Sequence, residues 1–478
     1  MAAKTTLNAK NLESLGAQRL AELLIEVSMG SAAHKRRLRM ELAGNHGGAE
    51  VAREVRKRLA SIARARTVIN WRKVKALKSD LETQRKTIVE TVAADDPQEA
   101  FDLIWQFLAL ANPIFERSSD SSSSLIQSFH QACEDAAAIA ASAKIDSNVL
   151  AEKVFKAVQD DGYGQYESLI AAMVPALGKD GLDCLKTLFV QWSKEPKDKP
   201  ARDERKVIGW GSASPLYEDE IFGTHRDLTV RIALQEIADA QGDVDAYIAQ
   251  QPEKTRRMPM TAADIADRLV SAGRANEALK VLNAVDATGR AGMPFEWQLA
   301  RVETLDALGR REEAQTYRWM CFEQSLHDQH LRGFLKQLPD FDDLEAEEKA
   351  FAHAQAFPDV HQALVFFLRW PAVAEAARLV MRRKAELDGD RYELMSPAAE
   401  ALAEKHPLAA TIVLRSMIDF TLDSGRSSRY KHAARHLADC ASLAPHIDDF
   451  GNTRSHDAYV AELKRRHGKK HGFWSRVT

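Results

Sequence analysis

The sequence predicts an all-α protein, a helical-repeat α-solenoid built of antiparallel helix pairs. Three observations carry that prediction. Ala, Leu, Glu, Lys and Arg dominate a 478-residue chain holding only 23 Gly and 15 Pro, the composition of long helices joined by short turns. Apolar residues recur at three- and four-residue spacing rather than at alternate positions. A segment of the C-terminal half repeats itself at an offset of 36 residues.

Hydrophobic residues make up 45% and charged residues 28% of the chain, which excludes wholesale disorder and membrane embedding. No apolar run approaches the roughly 20 residues of a membrane span. The start "MAAKTTLNAK" has no signal-peptide core, and Cys133, Cys184, Cys321 and Cys440 form no CxxC. The expectation is a cytoplasmic protein with reduced, mostly buried thiols and no membrane association.

Residues 1–192 read as an N-terminal helical subdomain. In "LESLGAQRLAELLIEVSM" Leu12, Leu15, Leu20, Leu23, Leu24 and Val27 form a helical stripe. In "VAREVRKRLASIARAR" a 100° step sets Val51, Val55, Leu59 and Ile62 on one face and Arg53, Arg56, Lys57 and Arg64 on the other;. "NWRKVKALKSDL" follows with a buried stripe of Trp71, Val74, Leu77 and Leu81. "ADDPQEAFDLIWQFLAL" carries a helix start, with Asp96 as cap, Pro97 at the first position and Glu99 placed to complete a capping box;. The last serines of "RSSDSSSS" can cap the next helix, and in "DDGYGQYESLI" Gly162 suits a left-handed helix cap;.

Residues 193–224 concentrate prolines, glycines and alternating charge around Trp210, Tyr217 and Phe222 and read as a connector;. Residues 225–478 then form a C-terminal subdomain. "LVSAGRANEALKVLNAV" and "LDALGRREEAQTYRWMC" match in register: Leu269 with Leu305, Gly273 with Gly309, Arg274 with Arg310, Glu277 with Glu313 and Ala278 with Ala314. "FTLDSGRSSRYKHAARHLADC" repeats the theme around Gly425 and Arg426. The unit resembles a tetratricopeptide-type (TPR-like) repeat, helix, turn, helix, although its spacing drifts from that family's period. Stacked pairs bury a face that none buries alone.

Several constellations bear on function. Between His34 and Lys86, 16 Lys and Arg stand against 5 Asp and Glu, a local balance of +11 in a chain of net charge −3. Arg53, Arg56, Lys57, Arg64, Arg72 and Lys73, together with Lys469 and Lys470 of the tail, are the candidate polyanion contacts;. The bland reading is a solvated face, or one that pairs with acidic helices of the same chain. In "HAARH", His432, His436 and Asp439 share a helix side with the spacing of metal ligands, but the apolar stripe Tyr430, Ala433, Leu437, Cys440 places both histidines on the polar side, so no metal site is assigned;. Phosphate-loop, dinucleotide-binding, HExxH, GxSxG and calcium-loop templates are missing, and no catalytic residue or cofactor is assigned. In the tail "SHDAYVAELKRRHGKKHGFW", Tyr459 and Leu463 mark an apolar side, Gly468 can end the helix in a left-handed conformation, and Phe473 and Trp474 are placed to latch onto the helical stack;.

The opening "LESLGAQRLAELLIEVS…HKRRLRMEL", the middle "DDGYGQYESLI" and the close "RYKHAARHLADC…YVAELKRRHGKKHGFW" together resemble an uncharacterised bacterial all-helical family over nearly the whole chain. The closing pattern is also similar to the helical repeats that follow the zinc module in bacterial SWIM zinc-finger proteins, although the CxC and CxH ligands of that module do not occur here. The resemblance implies a helical fold and transfers no catalytic residue. The function expected is a non-catalytic protein-interaction scaffold, with Arg274, Arg310 and Trp319 lining a groove for another protein. The alternative is a nucleic-acid-associated protein using the basic helices and the tail.

Overall fold

The computed structural model describes residues 6–31, 34, 35, 37–39, 42, 47–118, 124–195, 205–210, 215–217, 225–285 and 292–477. Among them the fold is helical apart from one antiparallel pair of short strands, Val207–Trp210 and Pro215–Tyr217. The chain divides into two compact units, Met1–Thr255 and Arg256–Thr478. Most of the 193–224 connector lies outside the described residues. The division falls later than that connector, and the His225–Gln241 helix packs on the Leu169–Lys194 helix of the first unit.

In the first unit the expected N-terminal stripe is interrupted. Gly16 takes φ 80°, splitting it into helices Ala9–Glu13 and Ala17–Ser28. Leu12, Leu15, Leu24 and Val27 are exposed, so this stripe does not enter the core. The core begins with Gly48–Arg64, where Val51, Val55, Leu59 and Ile62 are buried as the 100° step requires;. Trp71–Thr87 buries Val74 and Leu81 and runs on into a π-helical turn at Ile88–Val92.

Asp96 accepts hydrogen bonds from the Gln98 and Glu99 N–H groups at 3.0 and 3.1 Å, with Pro97 in the first turn;. Glu99 does not close a capping box: its carboxylate pairs with Arg56 at 2.5 Å, because an ion pair across two helices offers more than a second local bond;. Of the serine run, residues 119–123 lie outside the described residues, and the Ile126–Ala143 helix starts after Leu125 without a side-chain cap.

The DDGYGQY segment is a loop rather than a simple helix end. The Asp161 carboxylate accepts from the Tyr163, Gly164 and Gln165 N–H groups at 3.2, 2.8 and 3.1 Å, and the residue that takes the left-handed conformation is Gly164 (φ 77°), not Gly162. A carboxylate holding successive amides turns the chain where helix bonds cannot.

In the second unit, from Pro259–Ser271 to Tyr430–Leu443, each long helix packs against its successor and several against the next but one. The repeated turns have one geometry. The Gly273 N–H donates to Val270 O at 2.9 Å and the Arg274 N–H to Leu269 O at 2.7 Å; Gly309 and Arg310 bond to Asp306 and Leu305 at 2.9 and 2.9 Å; Gly425 and Arg426 bond to Leu422 and Thr421 at 3.3 and 3.1 Å. All three glycines lie at φ between 66° and 75°. This double bond over a left-handed residue satisfies the last carbonyls of a helix, and glycine is the residue that enters it without strain. Leu269, Leu305, Ala278 and Ala314 are all buried, the alanines letting the second helix of each pair approach the first.

Candidate functional site

The helix Tyr430–Leu443 enters the second unit's core through Tyr430, Ala433, Leu437 and Cys440, the stripe its sequence shows. His436 departs from the expectation. It is only 7% exposed, because Ala434 is also buried and widens the buried face to include it. Its Nδ1 lies 3.6 Å from Asp439 Oδ2, too long for a hydrogen bond;. Burial, helped by the Arg435 charge, holds its imidazole below the usual histidine range;. His432 stays exposed. Among the described residues no group of three His, Cys, Asp or Glu is arranged to hold a metal ion.

Across from this helix, Tyr392–Ala403 contributes Tyr392 and Ser396, and Pro407–Asp423 contributes Met417 and Thr421. Together with Ser428, Arg429, His432, Arg435 and His436 they line a cavity of about 370 Å³. A second cleft of about 710 Å³ shares Gly389 with it and is lined by Lys384, Arg415, Asp419, Arg454 and Tyr459. Arg415 is buried, its guanidinium 4.3 Å from the Tyr459 ring centre and bonded through Nη1 to Arg454 O at 2.6 Å, with Nε and Nη2 lacking a hydrogen-bond partner. Tyr459 donates to Asp419 at 3.0 Å. Desolvation pushes the Asp419 carboxyl up and the Arg415 guanidinium down;. At Gly389, which lines both clefts, the chain runs against the backbone of Ser416, where a Cβ would overlap the carbonyl.

The groove residues expected from the repeat are engaged within the fold. Arg274 forks onto Glu277 with both bonds at 2.8 Å, and Arg310 forks onto Glu313 with both at 2.6 Å. Both pairs lie at the start of the helix after the turn, where an acidic first turn also complements the dipole. Trp319 donates to Glu323 at 2.6 Å, packs on Phe322 and Phe334, and lies under Lys349.

The basic face is largely paired as well. Arg53 meets Glu50 at 2.5 Å, Arg56 meets Glu99, and Lys57 meets Glu54 at 2.7 Å. Arg64 bonds to Ala60 O of its own helix at 3.1 Å. Arg58 binds Asp80, and Arg85 binds Glu82 and Asp135, both arginines partly buried. Lys73 is exposed, and the Arg72 side chain lies outside the described residues. Arg53, Lys57 and Arg85 thus meet acids three residues away on their own helices, whereas Arg56, Arg58 and Arg85 also meet Glu99, Asp80 and Asp135, up to 50 residues away, a spacing that hid those pairings.

In the tail, Gly468 is helical (φ −57°) and not left-handed, and the helix His456–His467 ends through a turn into His471–Trp474. Phe473 is fully buried, and Trp474 donates to His467 O at 2.9 Å. Lys470 lies 6.0 Å from the Tyr430 ring, while Lys469 is exposed.

Phe341 is a residue the sequence reading missed. It is 81% exposed with φ 78°, caps the Asp342–Ala356 helix, and stands near exposed Leu344. No periodicity marks it, since it sits in the break "LPDFDD" between two helices.

The described residues thus define an all-helical protein with polar clefts set between neighbouring helices. The chain belongs to the family of unknown function DUF6880, which it matches over residues 2–476. No match was found among curated proteins. No helix among the described residues is long and apolar enough to cross a membrane.

Proposed function

We propose that the protein is a non-catalytic scaffold of TPR-like helical repeats, an α-solenoid of antiparallel helix pairs that binds another protein in the cytoplasm. The observation that carries this reading is the recurrence of one glycine-capped turn at Gly273, Gly309 and Gly425, in a unit whose helices pack in chain order. Repeats stacked in that way present an extended surface. The likeness of the tail to the repeats of SWIM proteins belongs to the same reading, and four free cysteines fit a reducing compartment;.

Phe341 and Leu344 supply an anchor. A large aromatic held out in water in a left-handed conformation is costly twice over, and such costs collect at functional positions. Asp340, Asp342 and Asp343 surround it, so the partner's surface is apolar with a basic rim;. Arg274, Arg310 and Trp319 act in this reading by fixing the turns and helix contacts that shape the surface. The internal pairing of Arg53, Arg56 and Lys57 favours a protein partner over nucleic acid.

The test is affinity capture from native lysate after nuclease treatment, with the unaltered chain beside Phe341→Ser. Retention of one stoichiometric protein by the former and its loss in the latter, at equal Tm, is expected. Capture that disappears with nuclease would overturn the scaffold in favour of the nucleic-acid alternative with Lys73, Lys469 and Lys470.

A further inference from the structure

The 370 Å³ cavity holds an excess of donors with nothing to receive them. Its lining includes Arg429, Arg435, His432, His436, Ser396, Ser428 and Thr421, and no Asp or Glu. Arg429 is engaged, with Asp390 at 2.6 Å and the Tyr392 ring at 4.6 Å. The side chains of His432, Arg435, Ser428 and Thr421 make no hydrogen bond or ion pair with another described residue. The Ser396 hydroxyl reaches only the Met417 sulfur, at 3.7 Å.

His436 is the second, independent sign. It is more than nine-tenths buried in the cavity wall; its Nδ1 faces the Asp439 carboxylate at 3.6 Å, and no described residue bonds its Nε2, which is the nitrogen left for a ligand. Ser428, Arg429, His432 and Ala433 place part of the cavity's lining at the first turn of the Tyr430–Leu443 helix, where the helix dipole adds positive potential;.

With Arg429 taken up by Asp390 and Asp439 beside His436 Nδ1, the guanidinium of Arg435, the imidazoles of His432 and His436 and three hydroxyls still line the cavity, and no lining residue is a carboxylate; such a set selects an anion that only accepts and does so on several sides. A carboxylate presents two oxygens in a plane. A phosphate group presents three around a tetrahedron, and arginine forks onto it. We propose that this cavity binds a phosphate group, free or carried on a small ester, with Arg435, His432, His436 and Ser428 as its ligands. The inference does not depend on the scaffold reading, since Phe341 lies on a different helix and lines no part of the cavity.

The experiment is calorimetric titration of the full chain with inorganic phosphate, with glycerol 1-phosphate and with acetate at constant ionic strength. It is repeated for a His432→Ala, Arg435→Ala double variant and for Arg465→Ala, whose arginine pairs with Glu462 elsewhere on the surface. Both His432 and Arg435 are exposed, so the double variant keeps its fold, which circular dichroism checks. Saturable binding of either phosphate, absent for acetate, weakened about tenfold or more in the double variant and unchanged in Arg465→Ala, is expected. Tighter binding of glycerol 1-phosphate would identify an ester site, and equal binding a site for free phosphate. Absence of phosphate binding at millimolar concentration, or equal losses in both variants, would overturn the proposal.

Discussion

The ring of Phe473 stands edge-on to Tyr430, with centroids 6.1 Å apart and planes at 75°, and no part of it reaches solvent. The end of the chain therefore belongs to the core of the second unit, sealing the face of the Tyr430–Leu443 helix. Phe473→Ala should destabilise that unit by about 3–5 kcal/mol, while Lys469→Ala should change stability by less than about 0.5 kcal/mol. Urea unfolding of the two variants compares them directly; equal midpoints would remove the latch.

The repeated turns separate backbone from side-chain contributions. Gly309→Ala places a Cβ on a left-handed residue and should cost about 1 kcal/mol or more. Arg310→Ala removes a mostly exposed ion pair with Glu313 and should cost less than about 1 kcal/mol;. If the arginine proves the more sensitive position, the cap does not organise the turn.

Arg85 and Asp135 make a test of the basic helices. Both are partly buried, and Glu82 completes the trio at 2.9 Å. Asp135→Asn leaves the Arg85 guanidinium with Glu82 as its remaining counter-charge, and a loss of about 1–3 kcal/mol is expected;. The neighbouring exposed pair Arg53 and Glu50 should tolerate Glu50→Gln;. Chemical denaturation distinguishes a structural from an external role for this charge.

One buried group, His330, and one half-buried group, Glu236, give stability opposite slopes with pH. His330 is held down to about 4 by burial, with smaller effects from His327 and Arg318. Its unfolded form binds protons first, so its contribution is intact above about pH 6.5 and is lost as pH falls toward 4. Glu236 is pushed up to about 7 by burial and by Glu167. It is the folded form that holds the proton there, so stability falls as pH rises from about 4.5 to 7. Glu236→Gln should therefore raise Tm most at pH 7 and above, and His330→Gln should flatten the acid limb. Thermal scans from pH 4 to 8 would show either slope missing.

The buried stripes of Gly48–Arg64 and Tyr430–Leu443, the Asp96 cap and the glycine turns of the repeat were legible in sequence because each depends on residues within a turn or two of one another;. The misjudged positions share a different property. Glu99 is drawn from its local cap by Arg56 of another helix, His436 is covered by tertiary packing that also takes in Ala434, and the N-terminal stripe finds no cover, and none of these is set by spacing within one helix.

What the sequence alone determined is that this chain makes helices, where most of them turn, and which faces are apolar, since those follow from local backbone preference and the 100° step. Only the tertiary structure decided that the basic helices spend charge on Asp80, Glu99 and Asp135, and that a cavity lined by His432, Arg435 and His436 lies beside the Gly389 crossing. Charges and cavities depend on distances between residues far apart in the chain, and no spacing within a single helix encodes those distances.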